Sequence, residues 1–346
     1  VNHSAICLNL KLQLNNYNQS LIHAFHHHTP IAILLKNKSL FIDSCLQTLW
    51  QACGLQANDQ AFLLSVGGYG RQELFLHSDI DILILHDNNS LPTQDKIELF
   101  LQNIWNLKLS IGHSVSDFIS CIKQARTDVN LYTNLLEMRY VCGNQELFQQ
   151  FNNHFQATEL WSLKNFLDVK VTEAHKRQEK HPCYHSDQEP DIKNSLGSLR
   201  DLQTIVWLTI HFFKTHKISR LIEKNFITKQ NYDLLKQTRD ELWKIRYALH
   251  ILNNRNHNKL MLKDQLALTQ IFNYPGESNQ KKIESFMQHY FMFVNQISES
   301  YKIIIDKFKN YVASGRHVEQ SAKSPSTEAS INALRMTEEI IWSNKI

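Results

Sequence analysis

The sequence has no Cys-x-x-Cys pair, no strongly basic stripe, no internal repeat and no apolar run near the ~20 residues needed to cross a bilayer. Each absence excludes a class. The six cysteines, Cys7, Cys45, Cys53, Cys121, Cys142 and Cys183, are scattered singly, with Cys121 and Cys142 in apolar patterns that read as helical. Reduced core thiols in a cytoplasmic protein are therefore expected, not a disulfide framework. A formal charge of +4 over 346 residues permits an anionic substrate but lacks the basic footprint of a nucleic-acid binder. Val1 to Leu14 has neither the basic end nor the long apolar core of a secretory signal, and no membrane association is expected. With 42% hydrophobic and 20% charged residues, the composition is that of a globular chain long enough for two domains.

Chemistry concentrates between Phe62 and Leu85. An apolar strand, Phe62 to Val66, runs into Gly67-Gly68-Tyr69-Gly70-Arg71, then a short segment, then a second apolar strand opening with Ser78-Asp79-Ile80-Asp81. Strand side chains alternate, so Asp79 and Asp81 project together while Ile80 and Ile82 project the other way. Two carboxylates on one face suit a hard cation such as magnesium, and glycines without side chains let backbone N–H groups approach phosphate. Asp-x-Asp alone is equally at home on a solvated strand edge; the specific signal is its combination with Gly-Gly at the end of the preceding strand.

That combination resembles the nucleotidyltransferase signature of the DNA polymerase β superfamily. Gly67 to Arg71, Glu73-Leu74 and Ser78 to Asp81 narrow the resemblance to the N-terminal catalytic region of the bifunctional PII uridylyltransferase/uridylyl-removing enzymes. Ile111-Gly112-His113-Ser114-Val115, on an expected third strand, and Asn134 to Arg139 are similar to the same family. So are Glu189-Pro190-Asp191-Ile192-Lys193 and Leu199-Arg200-Asp201. Where the family has Trp-Asp before the third strand, this chain has Trp105-Asn106, and it reads Leu196-Gly197-Ser198 where the family tends to Pro-Gly-Gly. Polymerase β-type sites usually draw a third carboxylate from a later strand. Ser110 lies on that strand here, and Asp117 and Glu137 remain open as the missing partner.

Before the catalytic strands, Leu21, Phe25, Leu34, Leu35, Leu40, Leu46 and Trp50 mark a helical apolar face broken at Pro30. His23, His26, His27 and His28 read as a solvated or cap-like cluster pointing in different directions. Ile97 to Trp105 has helical spacing, and Ser116 to Val141 reads as two helices, the second carrying Leu131, Leu135, Met138 and Tyr140 and ending at Gly143. Glu137 and Arg139 could be a cleft-facing pair or solvated surface. The loop from Glu189 to Ser198 could be a lid over phosphate or an ion-pair network holding loop to helix. A zinc site at His175, His181, Cys183 and His185 fails on spacing. From Ile218 the chain is helical, with a long apolar stripe from Ile283 to Phe308, and past Val312 it becomes Ser- and Lys-rich, with Asn332 to Trp342 as one short helix.

The resemblance implies an α+β architecture. N-terminal helices cover 1–55, a polymerase β-type nucleotidyltransferase domain with a small mixed sheet covers 56–160, an all-helical domain with a substrate-facing loop covers 161–312, and a linker with a short helix covers 313–346. The resemblance implies transfer of UMP from UTP to a tyrosine hydroxyl of the signalling protein PII, with release of pyrophosphate. Asp79 and Asp81 would hold Mg2+, Gly67, Gly68 and Ser78 would seat the triphosphate, and Arg71, Lys193 and Arg200 would be its charge partners. The family's HD hydrolase and ACT domains find no counterpart here, so a fragment or truncated member is expected. A same-fold transferase with another acceptor, and a decayed nucleotide-binding or interaction module, are the alternatives.

Overall fold

The computed structural model describes residues 3–87, 91–180 and 188–315. His181, Cys183, His185 and the segment Asn332 to Trp342 lie outside the described residues. The chain forms two compact units, Val1–Leu160 and Trp161–Ile346.

In the first unit, α1 (His3–His26) and α2 (Ile31–Ala52) precede β1 (Ala61–Ser65), the single turn α3 (Gly67–Gly70) and β2 (Ile80–His86). Then follow α4 (Leu91–Asn106), β3 (Ile111–Asp117), α5 (Phe118–Ala125), α6 (Val129–Leu136), β4 (Arg139–Gly143) and α7 (Gln145–Ala157). Pro30 separates α1 from α2, since it cannot donate in a helix interior yet is tolerated at a helix start. The four strands lie in the order β3-β2-β1-β4; β1 pairs antiparallel with β2 and β4, and β2 pairs parallel with β3. A parallel pair needs a crossover, which α4 supplies.

All five residues of β1 are buried, as befits a strand covered on both faces. On one face Leu63, Ile80, Ile82 and Ile84 join Leu10, Leu46, Trp50 and Phe100 from α1, α2 and α4. On the other, Phe62 meets Phe148 and Phe151 of α7 edge-on or tilted. Each such side chain fully removed from water contributes roughly 1.5–3 kcal/mol. The N-terminal helices thus share one core with the sheet. Leu40, expected on the apolar face, is 43% exposed.

One element corrects the sequence reading. Met138 and Tyr140 continue the three-and-four spacing of α6, but the helix stops at Leu136 with Glu137 as its C-cap, and residues 139–143 form the edge strand β4. Helical periodicity is overridden by pairing: β1 offers an open edge, and Val141 buries beneath it. Cys142 is accordingly a strand residue. The five described cysteines are free, and no helix among the described residues is long and apolar enough to cross a membrane.

Between α1 and α2, Lys38 is only 3% exposed and its ammonium donates to Asn18 Oδ1 at 2.5 Å. Burial lowers its pKa to about 8, opposed weakly by Cys45, and Lys38 in turn adds to the burial that lowers His77. Between pH 8 and the unfolded value of 10.5, the unfolded chain holds a proton that the folded one lacks, so this group makes stability rise with pH. Cys45, pushed up to about 11 by burial, works the other way. The difference between the wild type and Lys38→Met, each read in a Cys45→Ala background, isolates the lysine, because Cys45 and Lys38 shift each other. Urea unfolding at stepped pH should show a wild-type gain over the variant of up to about 1.4 kcal/mol per pH unit in that window. Parallel curves would remove the buried-ammonium account.

The second unit is helical: α8 (Leu163–Lys180), α9 (Leu199–Phe213), the turn α10 (Arg220–Glu223), α11 (Lys229–Asn253), α12 (Leu262–Ile271) and α13 (Asn279–Ala313). Helix α9 is buried along nearly its whole length. The stripe on α13 buries Phe286, Tyr290, Val294, Ile297, Tyr301, Ile304 and Phe308, which is core packing at helical spacing.

Candidate active site

Strand β2 alternates as its pattern requires, with Ile80 and Ile82 in the core, Asp79 exposed and Asp81 half-buried on the other side. Three backbone segments converge on Asp81. Its carbonyl accepts the Val66 N–H at 3.0 Å, tying the end of β1 to β2 just before the glycine turn. Gly67 then turns away with φ +57°, a conformation favoured by glycine, and a Cβ there would lie 3.2 Å from Asp81 Oδ2. Across the parallel pair, Asp81 is in register with Gly112, where a Cβ would stand 2.5 Å from Asp81 Oδ1. The carboxylate occupies the volume that two glycines leave open.

Asp79 accepts a hydrogen bond from Ser110 Oγ at 2.5 Å, and the Ile80 N–H donates to the Ser110 carbonyl at 2.9 Å. The residue on the expected third-carboxylate strand is therefore a hydroxyl donor touching the first carboxylate. Ser78 lies next to Asp79, its N–H donating to the Phe75 carbonyl. Gly67, Gly68, Ser78, Asp79 and Asp81 thus gather in one place.

The remaining candidates of this unit have other partners. Arg71 donates through Nε to Glu73 at 2.8 Å and through Nη1 to Glu137 at 2.7 Å, with side-chain exposures of 5%, 11% and 1%. Burial works against its charge, and Glu137 followed by Glu73 outweighs it, so the guanidinium stays protonated. Gly70 passes so close that a Cβ would meet the Glu137 carbonyl at 2.3 Å. Arg71 and Glu137 brace the glycine turn against the end of α6. Neither Glu137 nor Arg139 is solvated, and they do not pair with each other: Arg139 chelates Asp43 of α2 at 2.6 and 3.0 Å. Tyr69 OH donates to the same carboxylate at 2.5 Å, and burial followed by Asp43 raises its pKa well above the ordinary phenol. Asp117 caps α5 by accepting the Ser120 N–H at 2.8 Å, and Ser120 holds its carboxyl below the usual range. Asn106 is exposed at the end of α4.

Lys193 and Arg200 belong to the second unit. Their loop is fastened, not lid-like: Leu260 N–H donates to the Pro190 carbonyl at 2.9 Å and Ile192 N–H to the Asn258 carbonyl at 2.8 Å. Asp191 accepts the N–H groups of Lys193 and Asn194, Glu189 accepts that of Leu262, and Asp201, fully buried, accepts from Gly197 N–H and Arg177. A Cβ on Gly197 would lie 2.2 Å from the Val294 carbonyl of α13. The acidic residues of this segment hold the loop to its helices, while the Arg200 guanidinium sits over the Trp207 ring, 5.6 Å from its centroid.

Two residues of this unit escape the sequence pattern: Gly112, and Asp43, 96 residues from Arg139. The signal for Gly112 was present in its register opposite Asp81. Asp43 carries no local signature.

The donor set at Asp79 and Asp81 fits a hard divalent cation: two carboxylates and a neighbouring hydroxyl, all oxygen, with Asp81 fixed by the glycine cradle. No group of three His, Cys, Asp or Glu suited to a metal occurs among the described residues.

A family model, GlnD PII-uridylyltransferase, matches residues 165–305, within the second unit. Curated relatives extend across the first unit as well. The bifunctional uridylyltransferase/uridylyl-removing enzyme of Aliivibrio fischeri is 35% identical over 303 residues, 86% of this chain and 34% of the relative. Those of Haemophilus influenzae and Pseudomonas fluorescens are 33% and 35% identical, over 88% and 83% of this chain and 35% and 32% of the relatives. The chain spans about a third of the length of these proteins. With a glycine turn and paired aspartates in one unit, a matched helical region in the other and relatedness running through both, the chain belongs to the PII uridylyltransferase family.

Proposed function

We propose that the chain is a Mg2+-dependent nucleotidyltransferase moving UMP from UTP to a tyrosine hydroxyl of PII, with pyrophosphate leaving. The observation that carries this reading is the seat of Asp81 between Gly67 and Gly112, beside Asp79. Gly67 and Gly68 allow close backbone approach to the triphosphate, and Ser78 stands at its edge. Asp79 and Asp81 would hold the cation, which when bound stabilises the attacking and leaving oxygens of an in-line displacement. Arg71 acts through the shape of the turn, since Glu73 and Glu137 take up its guanidinium.

A second reading, nucleotide binding without turnover, is favoured by Ser110 at the third-carboxylate strand and by the commitment of Glu137 to Arg71. Titration of UTP, ATP, CTP and GTP with and without magnesium, followed by incubation of labelled UTP with PII, separates the two. Magnesium-dependent UTP binding together with labelled PII supports transfer. Binding without label supports the second reading, and labelling of a different acceptor overturns the choice of PII.

A further inference from the structure

At the end of α1, His23 and His27 lie one helical turn apart, and their rings meet tilted by 46°, with centroids 4.2 Å and Nε2 atoms 3.1 Å apart. Four neighbouring histidines on one helical turn are expected to diverge. Positions 23 and 27 do not, because residues four apart share a helix face, and the His27 N–H still donates to the His23 carbonyl at 3.1 Å. His26 instead meets Phe25 edge-on, with ring centroids at 5.8 Å. His28 has φ +59° and closes the helix, with its N–H donating to the Phe25 carbonyl.

We propose that His23 and His27 form a two-histidine binding site for a borderline divalent transition-metal ion of the zinc, nickel or copper class. Imidazole nitrogens bind such ions at about 2.0–2.1 Å, so two nitrogens on one ion at right-angled to tetrahedral geometry stand roughly 2.9–3.4 Å apart. The observed 3.1 Å separation falls inside that bite. Both rings are exposed, so an ion has access from solvent and water fills its other positions. The site also lies at the carbonyl end of a 24-residue helix, where the aligned peptide dipoles favour a cation. Without metal, one Nε2–H donates to the other ring's Nε2 lone pair. Binding requires both Nε2 lone pairs, so a proton held on either Nε2 passes to Nδ1 or to solvent, and two neutral imidazoles become the ligands. Magnesium, which demands oxygen, is not a competitor here.

The test is a calorimetric titration of the whole chain with nickel or zinc chloride, magnesium being present in excess to occupy carboxylate sites. One equivalent should bind, with affinity falling at least about tenfold in His23→Ala and in His27→Ala, the scale already reached when a ligand's outer partner is lost. His26→Ala should bind like the wild type. A paramagnetic probe, cobalt(II), should shift the imidazole protons of His23 and His27 alone among the 18 histidines, a readout independent of any change in folding. Undiminished affinity in either single variant, an equal loss in His26→Ala, or shifts spread over many histidines would overturn the site.

Discussion

Asp81→Asn should keep the fold and slow magnesium-dependent uridylyl transfer by ~10³-fold or more, on the scale by which losing a charge-stabilising group slows phosphoryl transfer. Asparagine has nearly the volume of aspartate, so the gap between Gly67 and Gly112 stays filled and β2 keeps its register. What disappears is one of the two carboxylates proposed to hold the cation, and with it half of the negative charge that such an ion would need on this face. Single-turnover release of pyrophosphate from UTP in the presence of PII measures the loss, and an unchanged thermal melt establishes that folding is not its cause. Activity within tenfold of the wild type would sink the assignment. Nucleotide binding without magnesium should be nearly unaffected, because Gly67, Gly68 and Ser78 remain.

Asp43→Ala should destabilise the first unit by about 3–5 kcal/mol, the cost of leaving a buried charge without its partner. Asp43 and Arg139 side chains are 11% and 9% exposed, and the carboxylate also receives the Tyr69 hydroxyl. Its loss strands a guanidinium on β4 and a phenol in the glycine turn at once. Hydrogen exchange at the β1 and β4 amides reports this unit without interference from the second. Protection there should fall by the corresponding factor, while Asp43→Leu combined with Arg139→Met should recover most of it, since replacing both members by apolar groups removes the unpaired charge. If the single variant loses less than about 1 kcal/mol, the pair is only a surface-like contact.

The parts of this fold that were legible in the sequence are those with a local cause. Periodicity marks α1, α2, α4 and α13, Pro30 marks the break between the first two, and alternation marks β2. The α+β architecture is implied by the resemblance these segments carry, and the four-stranded mixed sheet with its helices agrees with it. Strand β4 was not legible, because Met138 and Tyr140 extend the spacing of α6 and only the open edge of β1 decides against a helix. Within the site, Asp79 and Asp81 are readable from a spacing of two. The partners of Arg71 are divided: Glu73 is two residues away, whereas Glu137 is 66 away and is joined only by tertiary structure. A charged residue beside a motif looks like a ligand until the fold shows what it already holds.

The bond from Val66 N–H to the Asp81 carbonyl has a thermodynamic consequence. It makes the glycine turn and the aspartate strand a single rigid piece, with Tyr69 anchored to α2 and Arg71 to α6 on either side. The conformational entropy of arranging this half of the site is lost when the chain folds, not when a nucleotide arrives. A nucleotide bound there, as proposed, would meet little ordering penalty, and free and occupied forms of the first unit should differ by side-chain rotations alone.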